Sequence, residues 1–267
     1  MRLVSTTDKD AVGNYVGDYI CKRINAFGPT QRKPFVLGLP TGSTPLSTYR
    51  RLIEHVTAGR LSFRHVVTFN MDEYCGIPRS HPESYHTFMR KNLFDHVDIP
   101  AGSWHLLDGN APDPGAECAR YEAAIDAAGG VELFLGGIGP DGHVAFNEPG
   151  SSLMSRTRQE FLNDETVEAN SRFFGGDRSK VPKSALTIGV GTFMDSREVI
   201  LIVTGQGKAV ALAAIVEGSV SHVWTASCVQ MHNHATVVCD EAATGELKVK
   251  TVKYFKEVFA AEQRARL

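Results

Sequence analysis

The chain has 267 residues, of which 42% are hydrophobic and 22% charged, and its formal net charge is −2. That balance, with lysine and arginine scattered, excludes nucleic acid or an anionic membrane surface as the main partner. No apolar run approaches the roughly 20 residues needed to span a bilayer, and the opening "MRLVSTTDKD" turns polar where a signal peptide would be apolar. The first predicted element is a helix with Val12, Val16, Ile20, Ile24 and Phe27 on one stripe. It is expected to run directly into the first strand, "FVLGL" (35–39), with no room ahead of it for a DNA-reading module. A helix near 45–58 precedes a strand at "VVTFN" (66–70), and a helix near 114–128 precedes one at "VELFLGG" (131–137). The strand "EVILIVT" (198–204), a helix near 207–217, the strand "ATVVCD" (235–240) and a helix near 245–260 complete the series. Continuous apolar runs alternating with helices predict an α/β fold, Rossmann-like, with a mostly parallel sheet and helices on both faces. Residues 1–267 are expected to form a single domain.

Such sheets bind ligands beyond the carboxyl ends of their strands, so the turn after each strand carries the chemistry. After 35–39 comes "PTGSTP". Thr41, Gly42, Ser43 and Thr44 offer close backbone approach, hydroxyls and N–H groups to a phosphate at a helix start. The lysine of a P-loop is missing. The same letters also read as a capped helix, with Ser43 or Thr44 at the N-cap and Pro45 at the first helical position. After 66–70, Asp72 and Glu73 stand at a strand tip. Neighbours on an extended chain point opposite ways, so one of them should face the crevice as a general base; a turn or cap aspartate is the plainer reading.

After 131–137 comes "IGPDGHVAFNEP". Gly137, Gly139 and Gly142 fit G-x-G-x-x-G, but Pro140, Asn147, Pro149 and Gly150 fall where a dinucleotide site needs a long helix. One histidine with two carboxylates is thin for a metal site, and none is assigned. Proton transfer is the remaining reading: Asp141 and Glu148 can both approach His143, one of them fixing its tautomer. A structural loop histidine is the alternative. After 198–204, Lys208 opposes the dipole at a helix start unless an anion is shared there. Arg172 is a further candidate cation that the sequence does not place. Cys21, Cys75, Cys118, Cys228 and Cys239 form no C-x-x-C pair, which fits a reduced, intracellular protein with Cys75 a bystander.

With these residues in view, the chain resembles the glucosamine-6-phosphate deaminase family along nearly its whole length. The resemblance rests on "LGLPTGSTP", "TFNMDEY", "HPESYHTFM", "GGIGPDGHVAFNEPGSSL", "SRTR" and "ELKVKTVKYF", in the family's order. It implies conversion of D-glucosamine 6-phosphate and water into D-fructose 6-phosphate and ammonia in amino-sugar catabolism, without metal or organic cofactor. It implies Asp72 as the base acting at C2, His143 as the group that opens the sugar ring, and Asp141 and Glu148 as its partners. Thr41–Thr44, Arg172 and Lys208 would hold the phosphate. A homo-oligomer is implied, a hexamer among the options, in a family that includes both monomers and hexamers.

Two departures stand out. In activated members a valine or isoleucine, then a lysine and a threonine, follow "SRTR", and the lysine and threonine, with Ser151, Arg158 and Tyr254, form a pocket for N-acetylglucosamine 6-phosphate. Here Gln159, Glu160 and Phe161 stand instead, which argues against activation. The chain also ends in Ala265-Arg266-Leu267, a small-basic-leucine tripeptide of the S-K-L type. The address is therefore cytoplasmic, or a peroxisome-type organelle such as a glycosome. The competing functions are a sugar-phosphate lactonase or isomerase of the same fold, and a non-enzymatic sugar-phosphate sensor.

Overall fold

The computed structural model describes residues 1–264, so the terminal tripeptide lies outside the described residues. Seven strands form one parallel sheet: β1 (Arg2–Thr6), β2 (Phe35–Leu39), β3 (Val66–Asn70), β5 (Trp104–His105), β6 (Leu133–Gly137), β9 (Val199–Val203) and β10 (Ala235–Asp240), in the order β1-β10-β9-β6-β2-β3-β5. A smaller antiparallel sheet joins β4 (Asp72–Tyr74), β8 (Ser184–Thr187) and β7 (Arg158–Phe161), in the order β4-β8-β7. The helices are α1 (Lys9–Phe27), α2 (Leu46–Thr57), α3 (Tyr85–Asn92), α4 (Pro114–Ala127), α5 (Asp164–Ser171), α6 (Val190–Met194), α7 (Ala209–Glu217) and α8 (Val249–Arg264).

Alternation along the central strands divides the core. Phe35, Leu37, Ile200 and Ile202 pack with Val12, Val16, Ile20 and Ile24 of α1 and Leu52 of α2. Val36, Val199, Leu201 and Val203 point the other way, onto Tyr121 and Ile125 of α4, Phe193 of α6 and Leu212 of α7. Each buried side chain contributes about 1.5–3 kcal/mol, and a strand buried on both faces must be apolar throughout. The five apolar runs are therefore strands, and the helices do cover both faces.

The structure corrects the expected start of the chain: β1 precedes α1 and pairs in parallel with β10. Asp8 then caps α1, accepting from Ala11 N–H at 2.8 Å. It also corrects the capping of α2. Pro45, not Ser43 or Thr44, occupies the N-cap, and no side chain caps the helix. The chain winds outward from β2 through β3 to β5, returns to β6 beside β2, and continues to β9 and β10. The reversal between β2 and β6 opens a crevice beyond their carboxyl ends.

Candidate active site

A cavity of about 1000 Å³ occupies that crevice, lined by the turns after β2, β3, β6 and β9. On the β2 side, the Tyr49 hydroxyl donates to the Pro40 carbonyl and fixes the loop at its root. Gly42 takes φ 90°, a region that only glycine enters freely. The backbone N–H groups of residues 41–44 and the hydroxyls of Thr41, Ser43 and Thr44 have no hydrogen-bond partner among the described residues. Unspent donors on a cavity wall form an anion cradle. Lys208, after β9, lines the same space, and burial pushes its ammonium down to about 8, against the pull of Asp141 and with the push of Arg172. Arg172 follows α5 at the rim, its guanidinium 4.7 Å from the centroid of Phe173. Neither cation has a carboxylate partner among the described residues.

The strand-tip pair divides as the alternation requires. Glu73 turns away and accepts from the N–H groups of Tyr74, Tyr85 and His86 at 2.9, 2.9 and 3.0 Å, satisfying the first turn of α3. Asp72 turns into the cavity, 7% exposed, with Oδ1 buried and unpartnered. Burial, reinforced by the Glu73 charge, pushes the Asp72 carboxyl up to about 8.

The turn after β6 closes through Gly139 N–H donating to the His143 carbonyl at 2.8 Å. His143 Nδ1 lies 2.8 Å from Asp141 Oδ1. A Cβ on Gly139 would stand 2.4 Å from Asp141 Oδ1 and 2.6 Å from His143 Cε1, so the glycine leaves room for the pair. Burial raises Asp141, but the neighbouring His143 more than offsets this and holds it below the ordinary value. Burial raises Glu148, partly countered by hydrogen bonding and by His143. Its Oε2 accepts from Asn163 at 2.6 Å, and Oε1 is buried without a partner. Ligand-capable atoms of Asp141, His143 and Glu148 all lie within 4.8 Å of one another. That spacing serves proton transfer and is also compatible with a divalent cation.

The residues expected of the activator pocket are only partly brought together. Arg158 contacts Ser151, but Tyr254, on α8, is 60% exposed with its ring against Phe255, and no hydrogen bond or ring contact joins it to either. Sequence reasoning missed Lys9, Tyr85 and Asp240, which also line the cavity. Tyr85 lies inside the motif "HPESYHTFM". Asp240 ends an expected strand, and both its oxygens accept from Gly205 N–H at 3.0 Å. Lys9 gives no sequence signal, because its place depends on the unforeseen β1. All five cysteines are free.

Unspent donors facing a buried carboxyl and a histidine–carboxylate group, at the switch point of a parallel sheet, make an α/β enzyme site suited to proton transfer on an anionic substrate. Similarity to known proteins narrows this class. The chain belongs to the glucosamine-6-phosphate isomerase/6-phosphogluconolactonase family, whose model matches residues 7–238. It is 61% identical to a glucosamine-6-phosphate deaminase of Serratia proteamaculans over 260 residues, 97% of this chain and 98% of that one. A Yersinia enterocolitica protein of the same name is 60% identical over the same shares. Among solved structures, a monomeric glucosamine-6-phosphate deaminase superposes with a TM-score of 0.88 at 36% identity, covering 92% of this chain and 100% of that one. A 6-phosphogluconolactonase from Trypanosoma cruzi, at 21% identity and a TM-score of 0.72 over 92% of this chain and 97% of that one, shares the fold.

Proposed function

We propose that this chain is an enzyme that isomerises and deaminates D-glucosamine 6-phosphate, with water, to D-fructose 6-phosphate and ammonia. The observation that carries the reading is Asp72, a buried carboxyl with an unpartnered oxygen, in one cavity with the cradle at 41–44. The phosphate takes the cradle N–H groups, Lys208 and Arg172, and lends its binding energy to placing C2. His143, oriented by Asp141 and Glu148, assists the proton movements that open the ring. Asp72 removes the C2 proton of the open-chain aldehyde, giving an enolamine, and the proton returns at C1. Water adds at the resulting C2 imine carbon, and the C2–N bond breaks to release ammonia and leave the ketone. A coupled assay for ammonia from glucosamine 6-phosphate tests this. A silent enzyme, or one that opens 6-phosphogluconolactone instead, overturns it.

The finer readings have their own tests. We read residues 1–267 as one domain, which a single unfolding transition supports and two separate transitions refute. Activation by N-acetylglucosamine 6-phosphate is weak or absent, because Glu160 Oε2 lies 2.6 Å from Arg158, where a phosphate would otherwise pair. A sigmoidal substrate curve that this sugar phosphate makes hyperbolic contradicts that. The assembly is a homo-oligomer of up to six chains, and a monomer in sedimentation velocity refutes it. No described helix is long and apolar enough to cross a membrane. A reporter carrying Ala265-Arg266-Leu267 distinguishes a peroxisome-type address from the cytoplasm.

A further inference from the structure

Arg158 and Glu160 lie two residues apart on β7, on the face whose side chains turn partly inward. The Arg158 guanidinium reaches in with both terminal nitrogens, donating to Asn147 Oδ1 at 2.9 Å and to Ser151 Oγ at 3.0 Å. Those acceptors flank Glu148, one residue before it and three after. Asn147 is wholly buried, and its amide donates to the carbonyls of Val144 and Ile188 at 2.8 and 2.9 Å. Ser151 N–H donates to the Glu148 carbonyl at 3.0 Å. One guanidinium thus brackets the segment that presents Glu148 to His143.

What holds that guanidinium is Glu160. Its Oε2 is 2.6 Å from Arg158 Nη2 and is the cation's one carboxylate partner among the described residues. The remaining acceptors, Asn147, Ser151 and the Arg156 carbonyl, are neutral. A partly exposed arginine held by neutral acceptors alone can turn toward water, whereas a charged contact of this length fixes its plane. We infer that Glu160 is a positioning residue for the acid–base loop, acting through Arg158 on Asn147 and Ser151 and so on Glu148. The inference rests on the deaminase reading, and it makes the β7 edge of the small sheet part of the catalytic support.

The experiment compares Glu160→Ala, Glu160→Gln and Glu160→Asp in the full chain. Glu160→Ala lowers kcat on the order of tenfold, less than the roughly 10²-fold that a 1 Å misplacement can cost. KM stays within about twofold, because no residue of β7 lines the cavity that holds the phosphate cradle. Glu160→Asp recovers part of the rate. Added acetate recovers part in the alanine variant, where there is room for it, and none in the glutamine variant. Amide exchange across residues 144–152 provides a readout independent of turnover: it quickens in Glu160→Ala and slows again with acetate. Wild-type kcat in the alanine and glutamine variants, a loss confined to KM, or a loss that neither aspartate nor acetate reverses overturns the inference. A wild-type enzyme that releases no ammonia fails the deaminase reading instead, and the exchange measurement still decides the role of Glu160.

Discussion

Replacing Asp72 by asparagine should lower activity and raise stability together. The carboxyl is buried, one oxygen has no partner, and its pKa stands at about 8 against 3.8 for an ordinary aspartate. The folded state therefore holds this proton more tightly than the unfolded chain. The stability from that preference is full below about pH 4 and is lost as pH rises toward 8. By pH 7 the unfolded chain has released its proton over about three pH units while the folded chain has kept most of its own. At about 1.4 kcal/mol per unit, the wild type has given up at most about 4 kcal/mol. Water entering the cavity reduces this, so we expect Asp72→Asn to be more stable by about 1–3 kcal/mol at pH 7. The gain vanishes near pH 4 and levels off above 8. Turnover falls by roughly 10²–10⁴ with the proposed general base removed. Urea unfolding of both proteins at pH 5, 7 and 8.5, with ammonia release alongside, measures both effects. A stability difference that does not change with pH, or an asparagine variant that keeps most of its rate, refutes the reasoning.

The same geometry sets three more outcomes. The acid limb of kcat/KM should lie near pH 8, and the alkaline limb should begin close by as Lys208, also near 8, loses its charge; a limb near pH 4 contradicts a buried base. His143→Gln should slow the cyclic substrate more than an open-chain analogue, and equal losses would remove ring opening from its role. Gly139→Ala drives a methyl into Asp141 and His143, so it should cost at least about tenfold in rate with the phosphate cradle intact; unchanged turnover would mean that this pair's geometry does not matter.

How much of this the sequence disclosed depended on length and burial. The five central strands were legible because a strand covered on both faces is apolar without interruption, as in Val199–Val203. The small sheet was not. Its strands have three or four residues and carry Asp72, Glu73, Arg158 and Glu160, a polar composition that resembles loop. The candidate site was largely legible, because its residues lie within a few positions of visible strand ends. Arg172 could be proposed as a cation but not located, since it reaches the cavity by way of α5. The capping role offered to Ser43 and Thr44 failed because Pro45 already bends the chain into α2, leaving both hydroxyls for the cavity.

The division of labour between Asp72 and Glu73 is set by strand register rather than by the identity of either side chain. β4 pairs with β8 so that Asp72 faces Thr187 and Glu73 faces Leu186. A slip of one residue would invert every side chain on the strand, sending Glu73 into the cavity and Asp72 toward the first turn of α3. Met71 alone separates β3 from β4, so this junction has no slack to absorb a change in chain length. The family should therefore tolerate insertions between Tyr74 and α3 and purge them between Asn70 and Asp72. A single added codon there would leave every residue of the site present and still exchange the carboxyl that faces the cavity with the one that satisfies α3.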